Sequence, residues 1–374
     1  MAKYSGRFEK QKRKKKGGKI LLIILILLLA VVLAAVIFGV VYYNSVLNKM
    51  NHVEVEKIDY AQLSTEATEA EETDPSEEAT EGTTVPTTEP HVASSADYIN
   101  FLVVGQAGRD GETERFADSM ILVTLNTYEK TVTLTSMLRD TFVKPPNYKG
   151  HEFGRIKLTT VYHLGSFYTE GSIAGSMELM NMTLYNNFGV EVDHNFEVDF
   201  SAFVKAINAI GGVRIELTEA EAAYMNEEYK DRYYEIKPGK NHLDGGGALA
   251  YARMRKAAGD ADSDIVRTER QRKLVESIIA SLKKMSVSDL QNLVNEVLPL
   301  VTTSMTNSEI TDMLVTMLPM VSELTIQKGG NCPANTKGDM VDIYKDGMLH
   351  SVLRFDQVET TKHMRAITEG ETGE

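Results

Sequence analysis

Arginines crowd two short stretches of this chain: Arg253 and Arg255 in LDGGGALAYARMRK (Leu243–Lys256), then Arg267 and Arg270, with Gln271, in DIVRTERQRK (Asp264–Lys273). A guanidinium is permanently charged and offers a planar fork of donors that matches phosphate oxygens in pairs. Several in one place therefore suit a pyrophosphate better than a lone carboxylate. Taken singly, each also reads as part of a solvated charged helix. Arg267, Arg270 and Gln271 stand at three- and four-residue offsets, which predicts one shared face on a helix over Val266–Met285. Val275, Ile278 and Ile279 would anchor that helix to a core. Asp264 is its candidate N-cap, and the unpaired amides of a first turn attract anions.

Two more segments place such side chains at strand ends. FADSM sets Asp118 at the mouth of one strand, and MLRDT sets Arg139 and Asp140 at the end of another. A carboxylate there can hold Mg2+ that also bridges phosphate oxygens, and an arginine can neutralise charge developing in phosphoryl transfer. A surface ion pair is the competing reading. GDADSD (Gly259–Asp264) alternates acids like a calcium loop, but Ile265 and Gln271 stand where an EF-hand needs glycine and glutamate. There is no Walker loop, HExxH, GxSxG or paired CxxC, which disfavours P-loop hydrolysis and zinc proteolysis. His151, His163, His194 and His242 lack metal-ligand spacing and read as ordinary surface or core histidines. Cys332 is the only cysteine, so no intramolecular disulfide is available.

The elements that must position these groups follow a long apolar run. Ile20 to Val41 is 22 residues, long enough as a helix to cross a hydrocarbon core of about 30 Å and longer than a signal-peptide core. The basic leader from Lys10 to Lys19 keeps the N-terminus cytoplasmic and the bulk of the chain outside, with Tyr42 and Tyr43 at the outer boundary. That leader faces anionic lipid rather than nucleic acid, so a membrane is expected and no nucleic-acid partner. The net charge of −13 understates how acidic the exported part is. The arginine cluster is a local exception. From residue 44 to 95 the chain is Thr, Glu, Ser and Pro with few large apolar residues, which reads as a disordered, self-repelling spacer.

Beyond it, Phe101–Val104, Ser119–Asn126 and Thr131–Leu138 read as strands, the last two joined by a polar turn. Ile173–Gly189 reads as a helix with Met177, Met180 and Leu184 filling a core. His194–Phe200 alternates as a strand, Ser201–Gly212 reads as a helix stopped by glycine, Val213–Leu217 as a strand and Val287–Leu300 as a helix. Interleaving of this kind predicts an α/β fold with helices on the faces of a mixed sheet. The expected organisation is a basic cytoplasmic tail (1–19), a transmembrane helix (20–43), the linker (44–95), an extracellular catalytic domain (96–326) and a C-terminal extension (327–374).

These segments resemble the LytR-CpsA-Psr family, membrane-anchored enzymes that attach glycopolymers to bacterial cell walls. LDGGGALAYARMRK with DIVRTERQ resembles the family's LxGxxALAYxRxR and DxxRxxRQ pattern, supported by FADSM, SMLRDT, VEVDHNFEVDFSAF and the IGGV turn. The resemblance implies an α/β/α sandwich around a mixed central sheet, with a hydrophobic tunnel for a polyprenyl chain. It implies transfer of a glycopolymer from a polyprenyl-pyrophosphate carrier to peptidoglycan. Arg139, Arg253, Arg255, Arg267, Arg270 and Gln271 would bind the pyrophosphate, with Arg139, Arg253 and Arg255 catalytic, and Asp118 would hold Mg2+. The alternatives are a non-catalytic envelope regulator that binds such polymers and a hydrolase of the carrier lipid. Two positions depart from the pattern. GQAGR replaces the usual GxDxR, so Ala107 stands for a metal-binding carboxylate, for which Asp110 is a candidate substitute. Phe116 stands for an arginine, with Arg115 adjacent.

Overall fold

A computed structural model describes residues 45–60, 63, 95–106, 115–228, 236–254, 263–282, 284–317, 320, 323–334, 340–345 and 348–370. The expected anchor, most of the linker, Ala107, Asp110 and Arg255 lie outside them. The described start of the segment read as a disordered spacer is instead ordered: Asn51 and His52 pair with Thr302 and Thr303, and Val53 and Val55 pack on a hydrophobic core. Among the described residues no helix is long and apolar enough to cross a membrane.

In chain order the elements are β1 (Asn51–His52), β2 (Tyr98–Gln106), β3 (Ala117–Asn126), β4 (Thr131–Met137), β5 (Phe142–Val143), β6 (Ile156–Lys157), α1 (Leu158–Phe167), α2 (Ile173–Phe188), β7 (His194–Asp199), α3 (Phe200–Ala209), β8 (Val213–Leu217), α4 (Glu219–Glu228) and β9 (Gly239–Leu243). They continue with α5 (Gly245–Arg253), α6 (Ser263–Leu282), α7 (Val287–Val297), β10 (Val301–Thr303), α8 (Asn307–Met317), β11 (Thr325–Cys332), β12 (Met340–Lys345), β13 (Met348–Leu353) and α9 (Gln357–Thr368).

The fold is mixed α/β. Seven strands form one sheet in the order β1-β10-β7-β2-β3-β4-β11. β3 runs antiparallel to both of its neighbours, β2 and β4, while β7 runs parallel to β2 and β11 parallel to β4. Side chains alternate along a strand, and in β2 Leu102 and Val104 point into a core shared with Leu158, Val161 and Tyr162 of α1, Met177, Met180 and Leu184 of α2, and Met364 of α9. The methionine stripe is core filling, as its spacing predicts. A fully buried Leu102 alone contributes about 1.5–3 kcal/mol.

A second apolar cluster contains no residue of the large sheet. Ile207 of α3, Val213 and Ile215 of β8, Met225 of α4, Leu243 of β9, Tyr251 of α5 and Leu274 of α6 form it. β8 is a strand, but it pairs with β9, beyond α4, in a separate two-stranded antiparallel sheet rather than extending the large one. β10 has no counterpart in the sequence reading: at three residues it is too short to show alternation. The break expected at residue 326 falls inside β11, which adds an edge strand to the sheet, and α9 lies against the first core.

Asp199 caps α3 by accepting from the Ala202 amide at 2.6 Å, and Asp244 caps α5 by accepting from the Gly247 amide at 2.7 Å. Gly245, in LDGGG, lets α5 press on α3: a Cβ there would drive into the Val204 carbonyl, and its amide donates to Asn208 Oδ1 at 2.8 Å. Gly245→Ala is expected to cost about 1–3 kcal/mol by forcing these helices apart. Thermal unfolding of the variant would show it as a lowered Tm, whereas an unchanged Tm would mean that the close approach carries no weight.

Candidate functional site

The site begins at a defect in the β2–β3 pairing. Gly105 pairs with Ser119 but Gln106 pairs with Ala117, so Asp118 is an extra residue in β3. A regular strand would send Asp118 and Ser119 to opposite faces. The bulge instead turns both toward a cavity, while Ala117 and Met120 stay in the first core. Asp118 Oδ1 accepts from Arg139 Nη1 at 2.8 Å. Arg139 follows the end of β4, and Asp140 Oδ2 lies 3.5 Å from its Nε. Asp140 also receives Lys157 Nζ at 2.8 Å, so two cations and two carboxylates alternate along this edge.

The cavity has a volume of about 560 Å³ and lies between the second face of the sheet and helices α3, α5 and α6. Val103, Ile121 and Val198 form its floor, and Phe203, Leu249, Leu274 and Ile278 its far wall. Asp118, Ser119, Asp199, Tyr224, Arg253, Arg267 and Gln271 are the polar residues of its lining. Ser119 Oγ donates to Gln271 Oε1 at 2.9 Å, tying α6 to the bulge. Arg253, exposed at the end of α5, lies 4.8 Å from the centre of the Phe200 ring. An apolar chamber with cationic groups at one end can take a long hydrocarbon with an anionic head.

The model of the LytR_cpsA_psr family matches residues 58–347. The chain belongs to the LytR_cpsA_psr family. It is 30% identical over 192 residues to the polyisoprenyl-teichoic acid–peptidoglycan teichoic acid transferase TagU of Enterococcus faecalis, covering 51% of this chain and 55% of that protein. The chain thus spans about half the length of the curated relatives it matches. Among solved structures it resembles TagT bound to LIIa-WTA, with a TM-score of 0.54 and 22% identity, over 75% of this chain and 94% of that one. It also resembles YwtF (TagT) with bound octaprenyl pyrophosphate lipid, with a TM-score of 0.51 and 20% identity over the same shares. At these identities the structures establish the fold.

In this LytR_cpsA_psr domain the sequence-predicted residues divide. Asp118, Arg253, Arg267 and Gln271 line the cavity, and Arg139 reaches it through Asp118. Arg255 is outside the described residues. Arg270 is not part of the cavity lining: it is 2% exposed, its Nε donates to Glu221 Oε1 at 2.8 Å and its Nη1 to the Met254 carbonyl at 3.2 Å. Arg267, Gln271, Leu274, Val275 and Ile278 follow the cavity stripe of α6. Residue 270, about 100° around the helix from 271, turns toward the second core. Asp264, read as the cap, lies inside the described span of α6 (Ser263–Leu282).

Several residues escaped the sequence reading. Arg272 Nη1 donates to Ser136 Oγ at 2.8 Å, the Gly330 carbonyl at 2.9 Å and Asn331 Oδ1 at 2.7 Å, fastening α6 to β4 and β11. Burial holds its guanidinium pKa below the ordinary arginine value. Glu197, buried in β7, accepts from Tyr162 Oη at 2.6 Å and Arg115 Nη1 at 3.2 Å. Desolvation raises its carboxyl above the usual carboxylate value, against the Tyr162 and Arg115 contacts that lower it. Its signal was the alternation of HNFEVDF, which puts position 197 on the buried face. Arg115 is therefore held by Glu197, and Phe116 stacks on His163.

The two kinds of arginine are separable by experiment. Arg270→Ala leaves Glu221 buried without its cation and is expected to cost about 3–5 kcal/mol, visible as a large fall in Tm. Arg253→Ala, at an exposed helix end, is expected to leave Tm nearly unchanged. Equal losses of stability in both variants would contradict this division.

The pH dependence has a defined sign. Because the folded Glu197 carboxyl titrates above its ordinary 4.5, the folded state holds more protons than the unfolded one over that interval. Stability then falls as pH rises from about 4.5 through the raised value. Glu197→Gln is expected to flatten that part of the Tm–pH curve, and an identical slope in both proteins would refute the assignment.

Proposed function

We propose that the chain transfers a glycopolymer from a polyprenyl-pyrophosphate carrier to peptidoglycan. The observation that carries this reading is the apolar cavity with Arg253, Arg267, Gln271 and the Asp118–Arg139 pair at its polar end. The E. faecalis relative's name and the octaprenyl pyrophosphate of the structural neighbour support it. The prenyl chain lies along the apolar walls and its pyrophosphate faces the arginines. An acceptor hydroxyl oxygen bonds to the phosphorus that carries the glycan as the bond from that phosphorus to the bridging oxygen breaks. Lipid phosphate leaves, a phosphodiester forms and the hydroxyl loses its proton. Arg253 and Arg267 stabilise charge growing on the bridging oxygen, and Arg139 holds Asp118 in place.

Among the described residues no group of three or more His, Cys, Asp or Glu can hold a metal ion. A single carboxylate nevertheless fits Mg2+, which commonly binds one or two carboxylates and takes other oxygens from substrate phosphates. Asp118 would hold it, and when bound it neutralises phosphate charge. The reading includes an α/β/α sandwich outside the cell, carried on the acidic spacer and a single-pass anchor at Ile20–Val41 with its N-terminus cytoplasmic.

The test uses the full chain in detergent with a polyprenyl-pyrophosphate glycan, Mg2+ and peptidoglycan, following polyprenyl phosphate release and glycan attachment. Attachment that falls roughly 10²–10³-fold in Arg253→Ala and Asp118→Ala supports transfer. Release without attachment would make the chain a hydrolase. Tight binding without release would make it a polymer-binding regulator.

A further inference from the structure

An aromatic stripe unused by the chemistry above runs away from the site. Phe116, two residues before Asp118, stacks on His163 of α1 with ring centres 5.0 Å apart. His163 is 6.2 Å from Phe167, Phe167 is 5.1 Å from Tyr168, and Tyr168 is 4.1 Å from His151. Phe167 is 65% exposed, although burying it would gain about 1.5–3 kcal/mol.

We propose that this stripe binds the glycan strand of the acceptor, pyranose ring by ring; the proposal rests on the reading of peptidoglycan as acceptor. Two observations select that occupant. The first is direction. The prenyl cavity lies on the second face of the sheet, whereas His163 and Phe167 belong to α1, which covers the first. Phosphoryl transfer aligns the attacking and leaving oxygens roughly in line. With lipid phosphate departing toward the cavity, the acceptor hydroxyl enters from the opposite side, where the stripe begins.

The second is chemistry. Pyranose rings present C–H bonds on their faces and hydroxyls at their rims, and so stack on aromatic faces while keeping polar groups in reach. Beside these rings in sequence, exposed Glu152 and Glu170 give hydroxyls acceptors and exposed Lys149 and Arg155 give them donors, a mixed polar rim suited to a polyhydroxyl ring. Two exposed rings, Phe167 and His151, among partly covered ones are too small a patch for a protein interface of about 800 Å² per partner.

The test measures binding of the full chain, in detergent, to peptidoglycan glycan strands stripped of their peptides, and separately to the polyprenyl-pyrophosphate donor. Phe167→Ala is expected to weaken glycan-strand binding roughly fivefold and Phe116→Ala with Phe167→Ala at least tenfold. Phe167→Tyr should restore it, Val358→Ala, 81% exposed on α9, should leave it unchanged, and donor affinity should hold in all four. The proposal is overturned if the wild-type chain ignores glycan strands or if the folded double variant binds them as well as wild type. Loss of donor affinity instead would assign the rings to the donor polymer and also overturn it. Binding is read without turnover, so the stripe stands or falls independently of transfer.

Discussion

The bulge at Asp118 is the constraint on which the site depends. Strand geometry permits only alternate residues to face one side of a sheet, and a sheet with a packed core on its first face would send either Asp118 or Ser119 into that core. One extra residue opposite Gly105 and Gln106 removes the conflict. Asp118 then meets Arg139 from β4 and Ser119 meets Gln271 from α6, so two elements distant in sequence are registered to adjacent residues of one strand. Gly105 lets this happen at close quarters, since a Cβ there would lie 3.1 Å from that of Ser119.

Surroundings rather than burial divide the arginines, since Arg267, which lines the cavity, is 4% exposed and Arg270 2%. Arg270 and Arg272 have carboxylate, carbonyl, amide and hydroxyl oxygens around them. They hold α6 from both sides, Arg270 to the second core and Arg272 to β4 and β11. That leaves Arg267 and Gln271, on the stripe between them, aimed into the cavity. The helix is positioned by charges that its own sequence makes indistinguishable from those at the site.

Much of the architecture was legible because it is local. The strands around Phe101, Ser119 and Thr131, the helix closed by Gly189 and the methionine core stripe all follow from alternation, periodicity and a left-handed glycine cap. What was illegible depends on pairing. β8 alternates like a sheet strand yet joins β9, β10 is too short to signal itself, and β11 becomes an edge strand only because β4 offers an open side. At the site, residue types and spacing pointed to Asp118, Arg253, Arg267 and Gln271, which line one cavity, and to Arg139, which binds Asp118. They grouped Arg270 with these, although it turns to Glu221, because three- and four-residue offsets define a face about 100° wide, wide enough to reach two different neighbours.

The position where the family pattern has an arginine shows how a substitution is absorbed. Arg115 cannot serve the cavity from beside Phe116, because Glu197 holds it and Glu197 is itself fixed by Tyr162 in the first core. Removing Arg115 from that pair would leave a buried carboxylate with only a phenol hydroxyl to stabilise it, so the contact is costly to give up. Phe116 meanwhile rests on His163. Positive charge at the cavity therefore comes from α5, α6 and the end of β4, while the residues leading into β3 present aromatic surface. The cavity's cationic groups and the approach to β3 are thus carried by different elements, and either can change without disturbing the other.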